Sequence, residues 1–513
     1  MNTDMLAAPE VDYVAILPLL IVAGAAGIGV IVETCAPRGA RRTIQLFLAF
    51  GALVAAFATL VSQAGLRSLE VEGAIALDGP GRVLMGLILL ASLVAAMLIA
   101  ERQLDPAGDS FAPRASALPG SRDERELTAR GYLQTEVWPL FLFAVLGMLL
   151  FVISNNLLMM FISLEVMSLP LYLLAGMARR RRLLSQEAAM KYFILGAFSS
   201  AFFLFGTALV YGFTGSVEFA AISDALAAQP GQTYLVIGGI GLIAVGLLFK
   251  VGAVPFHQWV PDVYQGSPSA VTAFMAATVK VAAFGAILRI FYVAFGGLRW
   301  DWEALMWVIA CLTMLVGSIV AVVQTDIKRM IAYSSIAQAG FILMGVASAS
   351  AQGLAASIFY LTAYAFTTLG IFAVIMMVRD ASGEAGRLSQ WAGLGRRSPV
   401  VGAAFAIFML SLAGIPLTSG FIAKFAVFGS ALAVDQVVPV IIAVISSVIA
   451  AFFYGRVIVI MYFREPEGDG ATVTVPSAFT TLALAISVAV TVLLGILPQP
   501  VLDLIDQAGI FLR

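Results

Sequence analysis

The sequence predicts an all-α, polytopic membrane protein. Of its 513 residues, 61% are hydrophobic and only 12% are charged, and the mean hydropathy is +1.00. A soluble domain of this length needs far more charge on its surface, so this composition excludes a soluble globular protein. Apolar stretches long enough to cross a bilayer, about 20 residues each, recur along the whole chain. We therefore expect about fourteen transmembrane helices.

The predicted membrane spans follow these apolar stretches in order. Their approximate cores are 13–34, 43–64, 82–100, 136–154, 157–177, 188–213, 233–258, 269–295, 303–323, 327–348, 353–378, 399–430, 435–462 and 473–497. The seventh and the twelfth are too long for a simple crossing, and they contain Pro255 and Pro416. Because a proline inside a helix cannot donate its backbone hydrogen bond, we expect both of these helices to be broken.

The basic residues of the loops predict the orientation. Four clusters fall in loops that would share one side of the membrane: Arg38, Arg41 and Arg42; Arg179, Arg180, Arg181 and Arg182; Lys328 and Arg329; and Arg379, Arg387, Arg396 and Arg397. Positively charged loops mark the cytoplasmic side. With an even number of helices, both termini are then expected on the outer side.

The predicted spans divide the chain into five segments. These are an N-terminal three-helix segment (1–100), a cytoplasmic loop (101–135), a first five-helix repeat (136–297), a second five-helix repeat (298–463), and a C-terminal helix with an interfacial tail (464–513). The loop mixes both signs of charge with proline and glycine, so we expect it to be mobile and to carry no chemistry.

A weak internal repeat supports the two five-helix units. At an offset of 168 residues, the letters Ala-Phe-Ser-Ser at 197–200 align with Ala-Phe-Thr-Thr at 365–368. Repeats with an odd number of helices must be inverted relative to each other, an arrangement that many transporters use around a site at the membrane midplane. The sequence therefore predicts two inverted repeats, each with one proline-broken helix.

Four charged residues lie inside hydrophobic runs, namely Glu165, Lys250, Lys280 and Lys424. A charge in hydrocarbon is costly, so such residues usually face a protein interior and mark an ion path. Glu165 lies about 14 Å along its helix, near the midplane, at 1.5 Å per residue. The alternative for Glu165 is a carboxylate neutralised by a proton or by one partner, which would only hold helices together.

The three lysines differ in how deep they lie. Lys250 precedes the break at Pro255, and the alternative for it is a side chain that extends to the interface. Lys280 lies about 16 Å into its helix, too deep for that alternative. Lys424 follows Pro416 on the second broken helix. Buried lysines favour their neutral form, which makes them usable proton carriers.

Two further residues have auxiliary roles in this interpretation. His257 titrates near neutrality and could shuttle protons, or it could equally brace the broken helix. Lys191 lies nearer the basic side of the membrane, so a simple positive anchor is an equally good interpretation.

No cofactor is expected in this chain. Two cysteines, Cys35 and Cys311, and one histidine are too few for a multi-ligand metal, haem or iron–sulfur site. No glycine-rich dinucleotide motif is present either.

Several motifs resemble one family. Residues 254–268 (Val-Pro-Phe-His-Gln-Trp-Val-Pro-Asp-Val-Tyr-Gln-Gly-Ser-Pro) resemble the broken helix 7 of the antiporter-like membrane subunits of respiratory complex I. The segments 164–170, 326–336 and 413–425 resemble that family's helices 5, 10 and 12. The resemblance spans roughly residues 13–497.

The resemblance implies a proton-translocating, non-redox subunit of an NADH–quinone oxidoreductase. Glu165 and Lys250 would form a charged pair on helices 5 and 7, Lys280 would be the central lysine, and Lys424 the terminal proton site, with Lys191 and His257 auxiliary. Flavin, NAD and iron–sulfur chemistry would belong to partner subunits. The expected partners are sister antiporter-like subunits and the bilayer of a bacterial inner membrane, with both termini periplasmic and no nucleic acid bound.

One residue departs from the family pattern. Many relatives carry a histidine where this chain has Gln338, and a glutamine cannot take up and release a proton near pH 7. A relay from Lys280 to Lys424 would then have to cross by water, by Tyr333 or by hydroxyl groups.

Two other functional classes fit some of these features. A stand-alone cation/proton antiporter subunit would use the same broken helices and lysines. A non-transporting scaffold explains four charges at the midplane poorly.

Overall fold

A computed structural model describes residues 11–105, 108–114, 121–130, 132–228, 234–380, 383–466 and 470–512. The α-helices in that part of the chain are α1 (Leu17–Cys35), α2 (Arg38–Ser62), α3 (Gly79–Ile99), α4 (Arg122–Ala129), α5 (Val137–Ile153), α6 (Leu157–Ala175), α7 (Arg182–Thr214), α8 (Phe219–Ala228), α9 (Tyr234–Val251), α10 (Trp259–Gly266), α11 (Ser269–Phe274), α12 (Lys280–Arg289), α13 (Arg299–Val323), α14 (Ile327–Ala347), α15 (Ala351–Met377), α16 (Leu394–Arg397), α17 (Pro399–Ala413), α18 (Ser419–Leu432), α19 (Val437–Phe463), α20 (Ala478–Ile496) and α21 (Gln499–Ala508).

Five short strands and two π-helical turns accompany the α-helices in the described part of the chain. The strands are β1 (Ser68–Glu70), β2 (Ile75–Leu77), β3 (Val378–Asp380), β4 (Gly383–Glu384) and β5 (Thr472–Val473), with antiparallel pairing of β1 with β2 and of β3 with both β4 and β5. Two π-helical turns, Met275–Val279 and Ile290–Ala294, make α11 and α12 parts of one continuous span, Ser269–Ala294.

The all-α membrane class is confirmed. Among the described residues, 12 helices are long and apolar enough to cross a membrane. Helix α5, with 17 residues, and the pair α17 and α18, with 15 and 14 residues, occupy the other two predicted spans. The exact count of fourteen, the five segments and the inverted repeats stay predictions.

Both predicted helix breaks are present. Helix α9 ends at Val251, Gly252 takes a positive φ of 75°, and the chain becomes helical again only at α10. Helix α17 likewise ends before Gly414, which has a φ of 85°, and α18 begins at Ser419. Glycine adopts such left-handed conformations without steric cost, so a glycine opens each break. The breaks free backbone carbonyls inside the bundle.

The described parts of the predicted loop 101–135 are tied to the bundle, contrary to the expectation of a freely mobile segment. Asp105 and Asp109 are buried, and they form ion pairs with Arg379 at 2.9 Å and with Arg179 at 2.6 Å. The segment also contains the helix α4. Buried carboxylates require such partners, which explains why this stretch packs on the arginine-rich end of the bundle.

The bundle has a buried axis and an exposed periphery. The span Ser269–Ala294 is wholly buried, and α14 and α15 are 94% buried. In contrast, α1, α2, α19 and α20 bury only about a third of their apolar windows. Polar side chains on the axial helices are therefore shielded from lipid, whereas the peripheral helices present apolar side chains to it.

Two glycines allow helix backbones to meet. A Cβ atom added to Gly147 of α5 would overlap the backbone of Met167 in α6. A Cβ atom on Gly206 of α7 would lie 2.6 Å from the carbonyl oxygen of Gly239 in α9. Such close contacts are typical of membrane helix pairs, since small residues permit close packing. They fix the two helices that carry Glu165 and Lys250 against their neighbours.

Candidate functional site

Lys250 lies in an aromatic enclosure. It occupies the last turn of α9 and is 2% exposed, and its Nζ lies 5.3 Å and 5.4 Å from the ring centroids of Tyr172 and Tyr192. The Tyr172 hydroxyl is 3.5 Å from Nζ, and Trp259 stacks on Tyr192 at 4.6 Å. The faces of aromatic rings attract the ammonium group of a lysine, but they carry no negative charge that would hold it in the protonated form. The predicted alternative of a lysine that extends to the interface is wrong for Lys250.

Glu165 does not form the direct ion pair with Lys250 that the resemblance implied. In the described part of the chain, no salt bridge within 4.0 Å involves this carboxylate, and its Oε1 is buried without a hydrogen-bond partner. Glu165 still acts on both Lys250 and Tyr172 by electrostatic interaction. An unsatisfied buried acceptor is unfavourable, so this carboxylate is poised to gain a partner.

Lys280 is held by hydroxyl and carbonyl oxygens. It begins α12 directly after a π turn and is 4% exposed. Its Nζ donates to the carbonyl oxygen of Ser335 at 2.6 Å and contacts the Ser335 hydroxyl at 2.5 Å. The hydroxyls of Tyr364 and Tyr264 reach the same Ser335 oxygen at 2.7 Å and 3.3 Å. The surroundings of Lys280 are therefore polar but neutral.

Lys424 uses a carbonyl that the second helix break exposes. Its Nζ donates to the carbonyl oxygen of Ala413 at 3.0 Å and to the Ser447 hydroxyl at 3.2 Å, and it lies 4.6 Å from the Phe341 ring centroid. Ala413 is the last residue of α17, where helix carbonyls lack internal partners and carry partial negative charge. The break thus supplies the acceptor for the lysine.

Hydroxyl groups bridge the region between Lys280 and Lys424. The Tyr360 hydroxyl donates to Oε1 of Gln338 at 2.5 Å, and Nε2 of Gln338 donates to the Tyr454 hydroxyl and to the Leu412 carbonyl, both at 3.2 Å. The Tyr454 hydroxyl also bonds to Ser334. Ser334 precedes Ser335, the partner of Lys280, and Leu412 precedes Ala413, the partner of Lys424. Tyr333, half-buried, forms none of these bonds.

The auxiliary residues lie away from these contacts. Lys191 is 42% exposed and pairs with Glu187 and Asp262, both at 2.7 Å, and Asp262 also pairs with Arg329 at 2.8 Å. Asp262 therefore joins the helices α7, α10 and α14, a role that was not expected from its position in the sequence. His257 lies in the break between α9 and α10, half-buried, and its Nδ1 is buried without a hydrogen-bond partner.

A completely buried ion pair joins two residues that were not predicted to belong to a site. Arg289 Nη2 lies 2.7 Å from Asp78 Oδ1, and both side chains are 0% exposed. Arg289 also donates to the Val152 carbonyl at 2.9 Å, while the amide of Leu512 donates to Asp78 at 2.9 Å. Arg289 lies inside the predicted span 269–295, so the criterion that singled out Lys280 also applies to it.

At the arginine-rich end, Glu384 of β4 connects the start of α11 to the start of α14. It accepts a hydrogen bond from Ser269 at 2.6 Å and pairs with Lys328 at 2.8 Å. Burial raises the pKa of Glu384, but Lys328 and the Ser269 hydroxyl outweigh it, so the pKa lies below its ordinary value. This carboxylate is therefore held in its ionised form.

Among the described residues, no group of three or more His, Cys, Asp or Glu side chains could hold a metal ion. The arrangement around the lysines instead offers groups that bind, hold and exchange protons. Lysine, tyrosine and serine side chains all donate and, when neutral, accept hydrogen bonds.

Comparison with known proteins identifies the family to which this architecture belongs. A family described as the transmembrane part of NADH:quinone oxidoreductase and the Mrp antiporter matches residues 154–450. The chain is 58% identical to NADH-quinone oxidoreductase subunit N of Rhodococcus opacus, covering 99% of this chain and 97% of the relative. It is 52% identical to the subunit N of Mycobacterium tuberculosis, covering 99% of this chain and all of the relative.

Solved structures agree with this result. A chain of respiratory complex I from Thermus thermophilus with bound aureothin has a TM-score of 0.76 and 32% identity, covering 95% of this chain and 98% of that one. A chain of the Mrp complex from Dietzia has a TM-score of 0.80 and 26% identity, covering 96% of each. The chain is therefore an integral protein of a bacterial membrane and belongs to the antiporter-like family of NADH-quinone oxidoreductase subunit N.

Proposed function

We propose that this chain translocates protons as a non-redox membrane subunit of an NADH–quinone oxidoreductase. The names of its relatives and its likeness to a complex I chain support assembly with other membrane subunits. The observation that carries the proton role is the set of three buried lysines without a carboxylate within 4.0 Å in the described part of the chain. Flavin and iron–sulfur clusters would lie in partner subunits.

The unpaired lysines suit proton exchange for a physical reason. A buried lysine in a salt bridge keeps its proton, because the carboxylate stabilises the ammonium form. Lys250, Lys280 and Lys424 instead contact ring faces, hydroxyls and carbonyls, which leave the neutral form accessible. Each lysine can therefore accept a proton from one neighbour and pass it to another.

Helix α10 connects the first lysine to the second. At its start, Trp259 stacks on Tyr192 in the enclosure of Lys250. One and a half turns later, Tyr264 reaches the Ser335 hydroxyl that contacts Lys280. The broken helix thus contacts both sites, and a proton released by Lys250 would pass along α10.

The hydroxyl bridge extends this route to Lys424. Gln338 itself does not transfer protons, but it positions the hydroxyls of Tyr360 and Tyr454. We propose that the proton moves from Lys280 by way of these hydroxyls to Lys424, with water completing any gap between them. Glu165 would control the first step, since moving its charge towards Lys250 stabilises the ammonium form there. Lys191 and His257 would be auxiliary, and both termini would lie on the periplasmic side.

The experiment is a pair of substitutions in the assembled complex, Lys250→Gln and Glu165→Gln. NADH-driven quinone reduction and the proton gradient are measured in membrane vesicles. We expect each variant to lower proton translocation at least tenfold. The control is Arg396→Gln, which removes an exposed positive charge that has no part in this route and should change the gradient less than twofold. An undiminished gradient in both test variants would show that these residues do not carry the function.

A second candidate, a subunit of a stand-alone cation/proton antiporter, is favoured by the TM-score of 0.80 to a chain of the Mrp complex. Purification in mild detergent separates the two. If the chain purifies in an assembly without flavin and iron–sulfur absorbance, and vesicles exchange cations for protons without NADH, the antiporter function replaces the first proposal.

A further inference from the structure

A large basic cavity lies where α1 ends and α2 begins, away from the buried axis. Its volume is about 820 Å³. Six arginines line it: Arg38, Arg41, Arg42, Arg102, Arg114 and Arg130. Two carboxylates, Glu33 and Glu136, also line it, so the cavity has a strong excess of positive charge.

The two carboxylates are already engaged by neighbouring side chains. Glu33 accepts hydrogen bonds from Gln45 at 2.7 Å and from Thr135 at 2.8 Å, and Glu136 accepts one from Gln134 at 2.8 Å. Arg41 is 3.7 Å from Glu33. These neutral donors leave both carboxylates charged, but two carboxylates against six arginines still leave an excess of positive charge on the cavity wall.

Three of the other arginines form no close ion pair with a described acidic residue. In the described part of the chain, Arg38, Arg42 and Arg102 form no ion pair within 4.0 Å. Arg38 contacts the Tyr132 hydroxyl at 2.8 Å and Arg42 the Ala100 carbonyl at 3.1 Å, and both acceptors are neutral. Arg42 and Arg102 repel each other electrostatically, and the Asp109 carboxylate, which is ion-paired with Arg179, attracts both of them. An anion between them would relieve this repulsion.

The start of α2 adds further positive potential. Its preceding residue, Pro37, provides no side-chain cap, so the first backbone N–H groups of this 25-residue helix are open. Gly39, in the first turn, lines the cavity and has no atom within 4 Å of a Cβ position. Helix starts of this kind attract phosphate and carboxylate groups.

The apolar surface beside the cavity indicates what kind of anion fits. Helices α1 and α2 are peripheral, and they expose Ile31 (59%), Phe47 (77%) and Val54 (54%). A phospholipid with its phosphate on the arginines would place its acyl chains along these side chains. Basic pockets at helix ends on the cytoplasmic face are known to bind anionic headgroups.

We propose that this cavity binds the phosphate of an anionic phospholipid, with the acyl chains lying along α1 and α2. The site is separate from the lysine axis and independent of the proposed proton function. It also gives the segment 101–135 a role, because Arg102, Arg114 and Arg130 come from that segment, whereas the first turns of α2 contribute the others.

The test uses the full chain in its purified assembly and a double variant, Arg38→Gln with Arg42→Gln. Phosphatidylglycerol retained by the protein is counted by native mass spectrometry and titrated back from vesicles of phosphatidylglycerol in phosphatidylcholine. We expect the loss of one tightly held phosphatidylglycerol and at least a tenfold weaker rebinding. The matched control, Arg387→Gln with Arg396→Gln, removes two exposed arginines of the same predicted membrane side and should behave like the wild type.

Three outcomes overturn the proposal. Equal lipid retention by the wild type and the double variant would show that these arginines hold no lipid. If millimolar inorganic phosphate displaces the bound lipid and binds as well by itself, the site takes a free anion. If the variant loses a protein subunit and no lipid, the cavity is a subunit interface.

A conservative variant separates charge from folding. Arg38→Lys with Arg42→Lys keeps both positive charges, and we expect it to retain the lipid with a threefold or smaller loss of affinity. If it loses the lipid as completely as the glutamine variant does, structural disturbance explains both results and the proposal is wrong.

Discussion

Helix α12 carries two buried basic residues with opposite surroundings, Lys280 at its start and Arg289 at its end. Arg289 pairs with Asp78, and both side chains are completely buried. Lys280 instead contacts Ser335 and the ring face of Tyr364. Under the proposed function, this difference separates a charge that holds the fold from a charge that exchanges a proton. A paired guanidinium keeps its proton at all accessible pH values, whereas an unpaired lysine can lose one.

Arg289→Met should have the largest effect on stability. It leaves the Asp78 carboxylate buried without a counter-charge, which typically costs about 3–5 kcal/mol. We expect a marked drop in thermal unfolding temperature and in the amount of assembled protein. The double variant Arg289→Met with Asp78→Leu removes both charges and should recover much of that loss. If the single and double variants are equally unstable, the pair does not hold the fold.

Lys280→Met tests the other end of the helix. Removing an unpaired buried cation does not create an unpaired charge, so we expect an unfolding temperature equal to or above that of the wild type. Proton translocation should fall at least tenfold. Lys280→Arg, which stays protonated, should block translocation equally. Preserved translocation in the arginine variant would show that Lys280 does not exchange its proton.

Tyr454→Phe tests the hydroxyl bridge. It removes bonds to both Gln338 and Ser334 while keeping the ring, so we expect a two- to fivefold fall in protons moved per NADH with little change in stability. The control is Tyr211→Phe, a tyrosine that is 53% exposed. An unchanged proton yield in Tyr454→Phe would mean that water carries the proton past this hydroxyl.

Glu384→Gln should have the smallest effect. The pKa of Glu384 is lowered in the folded protein, so the stability that it contributes is present above its unfolded pKa, about 4.3, and is lost as pH falls through the folded value. We expect the variant to lose about 1 kcal/mol at pH 7 and to lie closer to the wild type on acidification. Thermal unfolding at pH 7 and at about pH 4 measures this, with the exposed Glu465→Gln as control.

The fold class and the two broken helices were predictable from local signals. A membrane-spanning helix can be recognised from the hydropathy of about 20 consecutive residues. A proline disrupts the helical turn in which it lies. For the same reason, Lys250, Lys280 and Lys424 stood out against their apolar neighbours. These residues are buried as expected, although their function is still a proposal.

The partners of these residues were not predictable, because they come from distant parts of the chain. Asp78 and Arg289 are 211 residues apart, and Gln338 and Tyr454 are 116 apart. Tyrosines and serines in apolar helices look like ordinary packing residues, so nothing local marked Tyr360 or Tyr454 as part of a polar bridge. The separation of Glu165 from Lys250 likewise depends on side-chain geometry that spacing along the sequence does not encode.

The contact at Gly147 limits how Glu165 can move. The backbones of α5 and α6 touch at Met167, two residues after Glu165, and Gly206 holds α7 against α9 in a similar way. Sliding of α6 past α5 would require these backbones to separate. Under the proposed function, the carboxylate would approach or leave Lys250 by rotating about its own side-chain bonds, a motion of picoseconds to nanoseconds, whereas helix shifts take microseconds or longer. The electrostatic control of Lys250 would then be much faster than the turnover of an enzyme, and slower steps elsewhere would set the rate.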